Sequence, residues 1–161
     1  MIKFFVGIGV VIFTTYFGRF LAKKYRVRKE FFFEMDRFNN CLLEELAYTK
    51  RPFEEFCQRT AFHGEFGGLI QEVLQSRAQR KRTGISAAHY SFLNKDELGF
   101  ISDYFQAVGR GDSGAQKSYF HSAKNRLESL KTEGEKNDKK YTELYTKLGF
   151  LAGLAILIVL A

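Results

Sequence analysis

Tryptophan is absent, proline occurs once, and there are only two cysteines. A single proline, Pro52, leaves long stretches without the residue that most strongly breaks helices. Turn clusters are few as well, so the chain reads as mostly helix. Cys41 and Cys57 are too few for a disulfide framework, and both fall in amphipathic patterns. They read as buried free thiols in a reducing compartment. No stretch alternates apolar and polar residues long enough to make a strand, and no internal repeat appears. The signatures of chemistry are missing too. There is no G-x-x-x-x-G-K-[ST] loop for nucleotide phosphates and no G-x-S-x-G nucleophile elbow. His63, His89 and His121 are scattered, and none sits at helical ligand spacing from another histidine or a cysteine. No metal or other cofactor is expected. Glu44, Glu45, Glu54 and Glu55 read as solvated helix faces. The expected protein is not an enzyme.

What the chain does have is phenylalanine, 18 copies in 161 residues, and a net charge of +7. Such a balance points to an anionic neighbour: nucleic acid, a phospholipid surface or an acidic protein. The densest basic run, "RAQRKR", holds Arg77, Arg80, Lys81 and Arg82. No aromatic residues are interleaved there for base stacking, so nucleic acid is not expected. The run reads as a surface toward anionic lipid or an acidic partner, or as an ordinary solvated helix end.

Both ends are apolar. From Phe4 to Phe17 there is no charge, and counted through Ala22 the segment reaches about the 20 residues a spanning helix needs. Lys23, Lys24, Arg26, Arg28 and Lys29 follow it. Charge behind the apolar core, and no small-x-small cleavage site, favour an uncleaved anchor over a signal peptide. By the positive-inside rule the residues after Ala22 lie in the cytoplasm. At the other end, Leu148 to Ala161 is about 14 residues, roughly 21 Å as a helix against roughly 30 Å of hydrocarbon. It is apolar on every face, and Tyr141 and Tyr145 precede it where amphipathic rings favour the membrane interface. Lys147 can snorkel outward, so the run reads as a second anchor. It contains Gly149-x-x-x-Gly153, a spacing that lets helix backbones approach closely in lipid; chance is the alternative, because glycine is frequent in such helices. Gly7, Gly9 and Gly18 are the counterparts in the first anchor. The two ends are expected to form an antiparallel helical pair in one bilayer.

Between the anchors the periodicity is helical. Phe31, Met35, Phe38, Leu42 and Leu46 form one stripe, ending near Lys50. Pro52 opens a short helix at its first turn, with Phe53, Phe56, Cys57 and Thr60 inward, and "HGEFGG" punctuates it. Leu69, Ile70, Val73 and Leu74 mark the next helix. Asn94 and Glu97 make a capping box for another, with Leu98, Ile101, Phe105 and Val108 buried and Gly109 as its C-cap. Asp112 or Ser113 caps the last helix, whose inward stripe runs through Phe120, Ala123, Leu127, Leu130, Gly134, Asn137, Tyr141, Leu144, Leu148 and Leu151. The fold class is all-α: a transmembrane helix at 1–22, an antiparallel helical bundle at 23–147, and a second transmembrane helix at 148–161.

"GRGDSG" contains Arg110-Gly111-Asp112-Ser113, similar to an integrin-binding tripeptide. In a short helix–helix connection it reads as a turn plus N-cap. Asp112 accepts from backbone N–H groups at the helix start, and Gln116, one turn on, can reach the preceding loop; a partner contact is the alternative.

Three stretches together resemble the stage III sporulation protein AB family of endospore-forming bacteria. They are "LLEELAYTKRPFEEF" after the first anchor, "VGRGDSGAQ" with Gly109, Asp112 and Gln116, and the ending "KLGFLAGLAILIVLA". The resemblance implies a helical bundle similar to the cytoplasmic domains of F-type platform proteins in type II secretion and type IV pilus machines. It implies a place in the sporulation complex that links mother cell and engulfed forespore, in the outer forespore membrane with the bundle in the mother-cell cytoplasm. The implied partners are that complex's cytoplasmic secretion-type ATPase and its other membrane subunits, beside membrane lipids. A membrane tether or adaptor unrelated to sporulation is the alternative.

Overall fold

The computed structural model describes residues 2–48, 51–79, 85, 88–109 and 112–160, with side chains from residue 8 onward except those of 113 and 160. Five helices follow one another: α1 (Ile2–Tyr48), α2 (Phe53–Arg59), α3 (Gly64–Ala78), α4 (Lys95–Ala107) and α5 (Ser113–Leu160). No strand occurs among the described residues. The chain divides into two compact units. One is Met1–Arg26 with Glu133–Ala161, and the other is Val27–Thr132.

The core of the second unit explains the phenylalanine content. The stripe Phe31, Met35, Phe38 and Leu42 is buried as its spacing requires. Phe38 is the hub: its ring lies 5.2–6.3 Å from those of Phe53, Phe56, Phe62, Phe66, Tyr104 and Phe105. Most of these meet edge-on or tilted, the arrangement the ring quadrupole favours, at about 0.5–1.5 kcal/mol per pair beyond area burial. Phe120, Ala123 and Leu127 of α5 add to the same core, as do Ile101, Phe105 and Val108 from the α4 segment. Tyr104 is fully buried as well, and its hydroxyl is pushed well above the ordinary tyrosine range by burial and, after that, by Tyr119 and Asp36 nearby.

Two local expectations are corrected. Pro52 stands at the N-cap of α2, one residue before the helix, where its carbonyl accepts from the N–H of Phe56 at 3.1 Å. "HGEFGG" is not a break but the first turn of α3. Gly64 begins it at φ 61°, and a side chain on Gly67 would strike the carbonyl oxygen of Phe62. The glycines let the chain turn tightly into the helix, and this carries Phe66 into the core beside Phe31 and Phe38.

Among the described residues one helix is long and apolar enough to cross a membrane, and it is α5. The expected N-terminal anchor, 1–22, includes residues 1–7, whose side chains lie outside the described set.

Candidate functional site

In the first unit the two apolar segments touch along a line of small residues. A Cβ on Gly18 would overlap the carbonyl of Tyr145, and one on Gly149 would overlap the carbonyl of Thr14. At Gly153 it would stand 2.7 Å from the Cα of Val11 and 2.5 Å from Oγ1 of Thr14. Further along, the rings of Tyr25 and Tyr141 stack with centroids 4.1 Å apart. As the contact residue on α1 rises from 11 to 14, 18 and 25, that on α5 falls from 153 to 149, 145 and 141, so the segments run antiparallel. Ala22, 2% exposed, sits on the same line. The hydroxyls of Thr14 and Thr15 donate to carbonyls of their own helix, Val10 at 3.0 Å and Val11 at 2.7 Å, so the seam carries no unsatisfied hydroxyl donor there.

Gly9 does not belong to this seam. A Cβ there meets nothing within 4 Å. Nine residues separate it from Gly18, which at about 100° per residue puts it on the opposite side of the helix. The side chain position of Gly7 is outside the described residues. The inward stripe expected on α5 is corrected as well. Leu144, Leu148 and Leu151 are exposed by 42, 51 and 59%, and the inward line shifts to the half-buried Gly149 and the buried Gly153. On α1, Phe13, Phe17 and Phe20 are exposed and stack along one another. Small residues face inward and large apolar residues outward, the reverse of a water-soluble bundle. In lipid there is no hydrophobic drive between helices, so close backbone packing takes its place.

The corner before α5 is built from Gly109, Asp112 and Gln116, the three residues singled out in "VGRGDSGAQ". Gly109 has φ 80°, a left-handed conformation that side chains resist. Its N–H donates to Oε1 of Gln116 at 3.1 Å. Oδ1 of Asp112 accepts from the N–H of Ala115 at 2.7 Å, and its carbonyl from the N–H of Gln116 at 3.1 Å. Asp112 therefore caps α5, and Gln116 ties the preceding turn to it. Asp112→Ala is expected to lower stability by about 1 kcal/mol, and Gly109→Ala by about 1–2 kcal/mol, read as shifts in the urea midpoint of the full chain. Wild-type midpoints for both would mean the corner serves a partner rather than the fold. Arg110 and Gly111 are outside the described residues.

Arg77 leaves the basic surface. Nη2 donates to the carbonyls of Phe105 and Val108, at 3.1 and 2.9 Å, and the guanidinium lies 4.3 Å from the ring centroid of Phe53. It closes the C-terminal end of α4, a structural role. Arg80, Lys81 and Arg82 lie outside the described residues.

Two buried polar clusters of the second unit went unread in the sequence. Arg28 and Glu97, 8 and 2% exposed, pair with Nη2–Oε1 at 2.5 Å and Nε–Oε1 at 3.0 Å. The other oxygen of Glu97 accepts from the N–H of Asn94 at 2.9 Å, while Asn94 Oδ1 accepts from the N–H of Glu97 at 2.8 Å. The expected capping box is present, and its carboxylate also serves α1. The second cluster is Asn39, which accepts from the Tyr104 hydroxyl at 2.8 Å and donates to the carbonyl of Phe120 at 3.2 Å. It joins α1, α4 and α5 through one amide.

Cys41 and Cys57 are free thiols, and burial, followed by the charge of Glu54, pushes Cys57 up to about 12 despite Arg77 nearby. Such a thiol is a packing group rather than a nucleophile. Among the described residues no group of three or more His, Cys, Asp or Glu is placed to hold a metal ion. His63 stands at the N-cap of α3, His89 beside Tyr90, and His121 on the surface of α5. The arrangement offers a helix seam, a capped corner and buried polar ties, which position surfaces.

A family model described as stage III sporulation protein AB matches residues 3–161. No curated protein matches, and no solved structure matches. The chain belongs to the stage III sporulation protein AB family, which gives it a role related to sporulation rather than that of an unrelated tether.

Proposed function

We propose that this stage III sporulation protein AB family member is a non-enzymatic membrane component of a secretion-like complex joining mother cell and engulfed forespore. In this reading it couples a cytoplasmic secretion-type ATPase to the channel in the membrane and also contacts the complex's other membrane subunits. The observation that carries the membrane part is the inside-out helix pair. Gly18, Gly149 and Gly153 face inward, and Phe13, Phe17, Leu148 and Ile158 face outward. Outward apolar residues reach from Ile8 to Leu21 on α1 and from Leu144 to Val159 on α5. The α5 belt is thus about 24 Å long at 1.5 Å per residue, so a crossing that begins at Leu144 needs only modest bilayer thinning. Lys23, Lys24 and Arg26 follow the first span and favour the unit Val27–Thr132 on the cytoplasmic side. In the outer forespore membrane that side is the mother cell.

Within such a complex the basic sequence run beyond Arg77 (Arg80, Lys81 and Arg82) is the candidate contact for an acidic face of the ATPase. The test is recovery of the full-length tagged chain from sporulating cells. The ATPase is expected to copurify, and charge reversal of Arg80, Lys81 and Arg82 to abolish both copurification and spore formation. Recruitment of the ATPase to membranes that proceeds normally in cells lacking the chain would remove the coupling role.

A further inference from the structure

We propose that a cleft beside the helix pair binds the phosphate headgroup of an anionic phospholipid through Arg19, Arg26 and Lys139. The proposal rests on the reading that this pair spans a membrane. The cleft holds about 540 Å³, enough for a glycerophosphate headgroup. Arg19 and Arg26 line it from α1, and Lys139, Thr142, Thr146 and Lys147 from α5. Seven residues are close to two full helical turns, so Arg19 and Arg26 share one side of α1; Lys139 and Thr146 are related in the same way on α5. The seam fixes their mutual register, because Gly18 sits on Tyr145 and Tyr25 on Tyr141.

Charge and depth both select a lipid phosphate. Two carboxylates also line the cleft, Asp138 and Glu143. Glu143 is taken up by Lys147 at 2.6 Å, and Asp138 accepts from the Thr142 hydroxyl at 3.2 Å. The four cations outnumber the acids, and the balance is positive. Next to Arg19 and Lys147 the exposed side chains turn apolar, with Phe17 and Phe13 on α1 and Leu148 and Leu151 on α5. At the level of the cleft itself stand the stacked rings of Tyr25, Tyr141 and Tyr145, the residue type that gathers at the headgroup level. The cleft thus falls where a phosphate meets its acyl chains. An acidic protein segment would satisfy the charge but not the apolar wall beneath it.

The full chain reconstituted in vesicles of equal phosphatidylglycerol and phosphatidylcholine provides the test. Alkaline carbonate extraction comes first: release of the chain would sink the membrane reading itself. Lipids still bound to the retained protein are then counted by native mass spectrometry. Phosphatidylglycerol is expected to dominate, and Arg19→Gln with Arg26→Gln and Lys139→Gln to cut its retention by about fivefold per cation removed. All three side chains are exposed, so the fold should survive their replacement, which a thermal melt checks. Neutralising Lys95, Lys117 and Lys124, in the other unit, is expected to leave retention unchanged. Equal retention of the two lipids, or an equal loss in that second triple variant, overturns the site. Displacement of the lipid by millimolar inorganic phosphate would make free phosphate the ligand instead, and would also overturn it.

Discussion

Leucine in place of both Gly149 and Gly153 is expected to drive the two apolar segments apart. Helix propensity alone predicts the opposite sense, since leucine favours helix over glycine by somewhat less than 1 kcal/mol per position. Any loss must therefore come from packing. A Cβ at position 149 would overlap the carbonyl of Thr14, and one at 153 would stand 2.7 Å from the Cα of Val11. Neither neighbour is the flexible end of a side chain; both are backbone, so the helices have to separate. Overpacking of this kind costs about 2 kcal/mol or more, roughly thirtyfold in the pairing equilibrium. Crosslinking reports it. With Tyr25→Cys and Tyr141→Cys introduced at the 4.1 Å ring stack, in a background without Cys41 and Cys57, a short bifunctional reagent should join the segments efficiently in membranes. Joining should largely disappear in the double leucine variant. Gly9→Leu supplies the comparison, because open space surrounds that position, and it is expected to crosslink like the parent. Undiminished crosslinking in the double variant would mean the seam does not hold the pair together.

The comparison between Gly9 and Gly18 shows what a sequence can and cannot tell. Gly149-x-x-x-Gly153 is visible as a spacing, but the identity of its partner depends on helical phase. The phase was available in principle. The buried stripe Phe31, Met35, Phe38 and Leu42, followed backward by steps of three and four, passes through Arg28, Tyr25, Ala22, Gly18 and Thr14. It never touches Gly9. The same extension points at Arg28, which reads as one more interfacial cation until it is placed three residues before Phe31. On α5 the hydrophobic stripe was readable as far as Leu127 and Leu130. Beyond Gly134 large residues no longer signal the inside, because the pair packs on small residues and Leu144, Leu148 and Leu151 turn outward, so the leucine spacing points to the wrong face. Capping chemistry was the most legible part. Asn94 with Glu97, and Gly109 with Asp112 and Gln116, are local patterns whose partners lie within seven residues. Asn39 with Tyr104 and Phe120, and Arg28 with Glu97, join residues 65 or more apart, and no local pattern encodes such pairs.

Of these long-range ties the Arg28–Glu97 pair has the largest expected effect on stability. Glu97→Ala removes two things together. It deletes the carboxylate that answers a guanidinium only 8% exposed, and it deletes half of the α4 capping box. Breaking a buried ion pair by removing one partner costs about 3–5 kcal/mol, and the lost cap adds about 1 kcal/mol. Such a loss is a large share of the 5–15 kcal/mol typical of a whole domain, so the unit Val27–Thr132 is expected to unfold under mild conditions. Glu97→Gln separates the two contributions. The amide has one acceptor oxygen where the carboxylate used two, Oε1 toward Arg28 and the other toward the N–H of Asn94, so the cap can persist while the charge and the hydrogen bonds to Arg28 are lost, and an intermediate cost is expected. Joining Glu97→Gln to Arg28→Met removes the buried cation as well and leaves an apolar chain of similar length against Phe32, whose ring the guanidinium now faces at 5.5 Å. That double variant should return to within about 1 kcal/mol of the parent, since buried ion pairs are often no better than apolar replacements. Amide hydrogen exchange along α4, with urea unfolding of the full chain in detergent, measures all three. If Glu97→Ala exchanged as slowly as the parent, the pair would contribute nothing. If the double variant, which keeps the cap, were no better than Glu97→Ala, the loss would lie in the packing and hydrogen bonds of the Arg28 side chain itself, and the tie between α1 and α4 would not rest on charge.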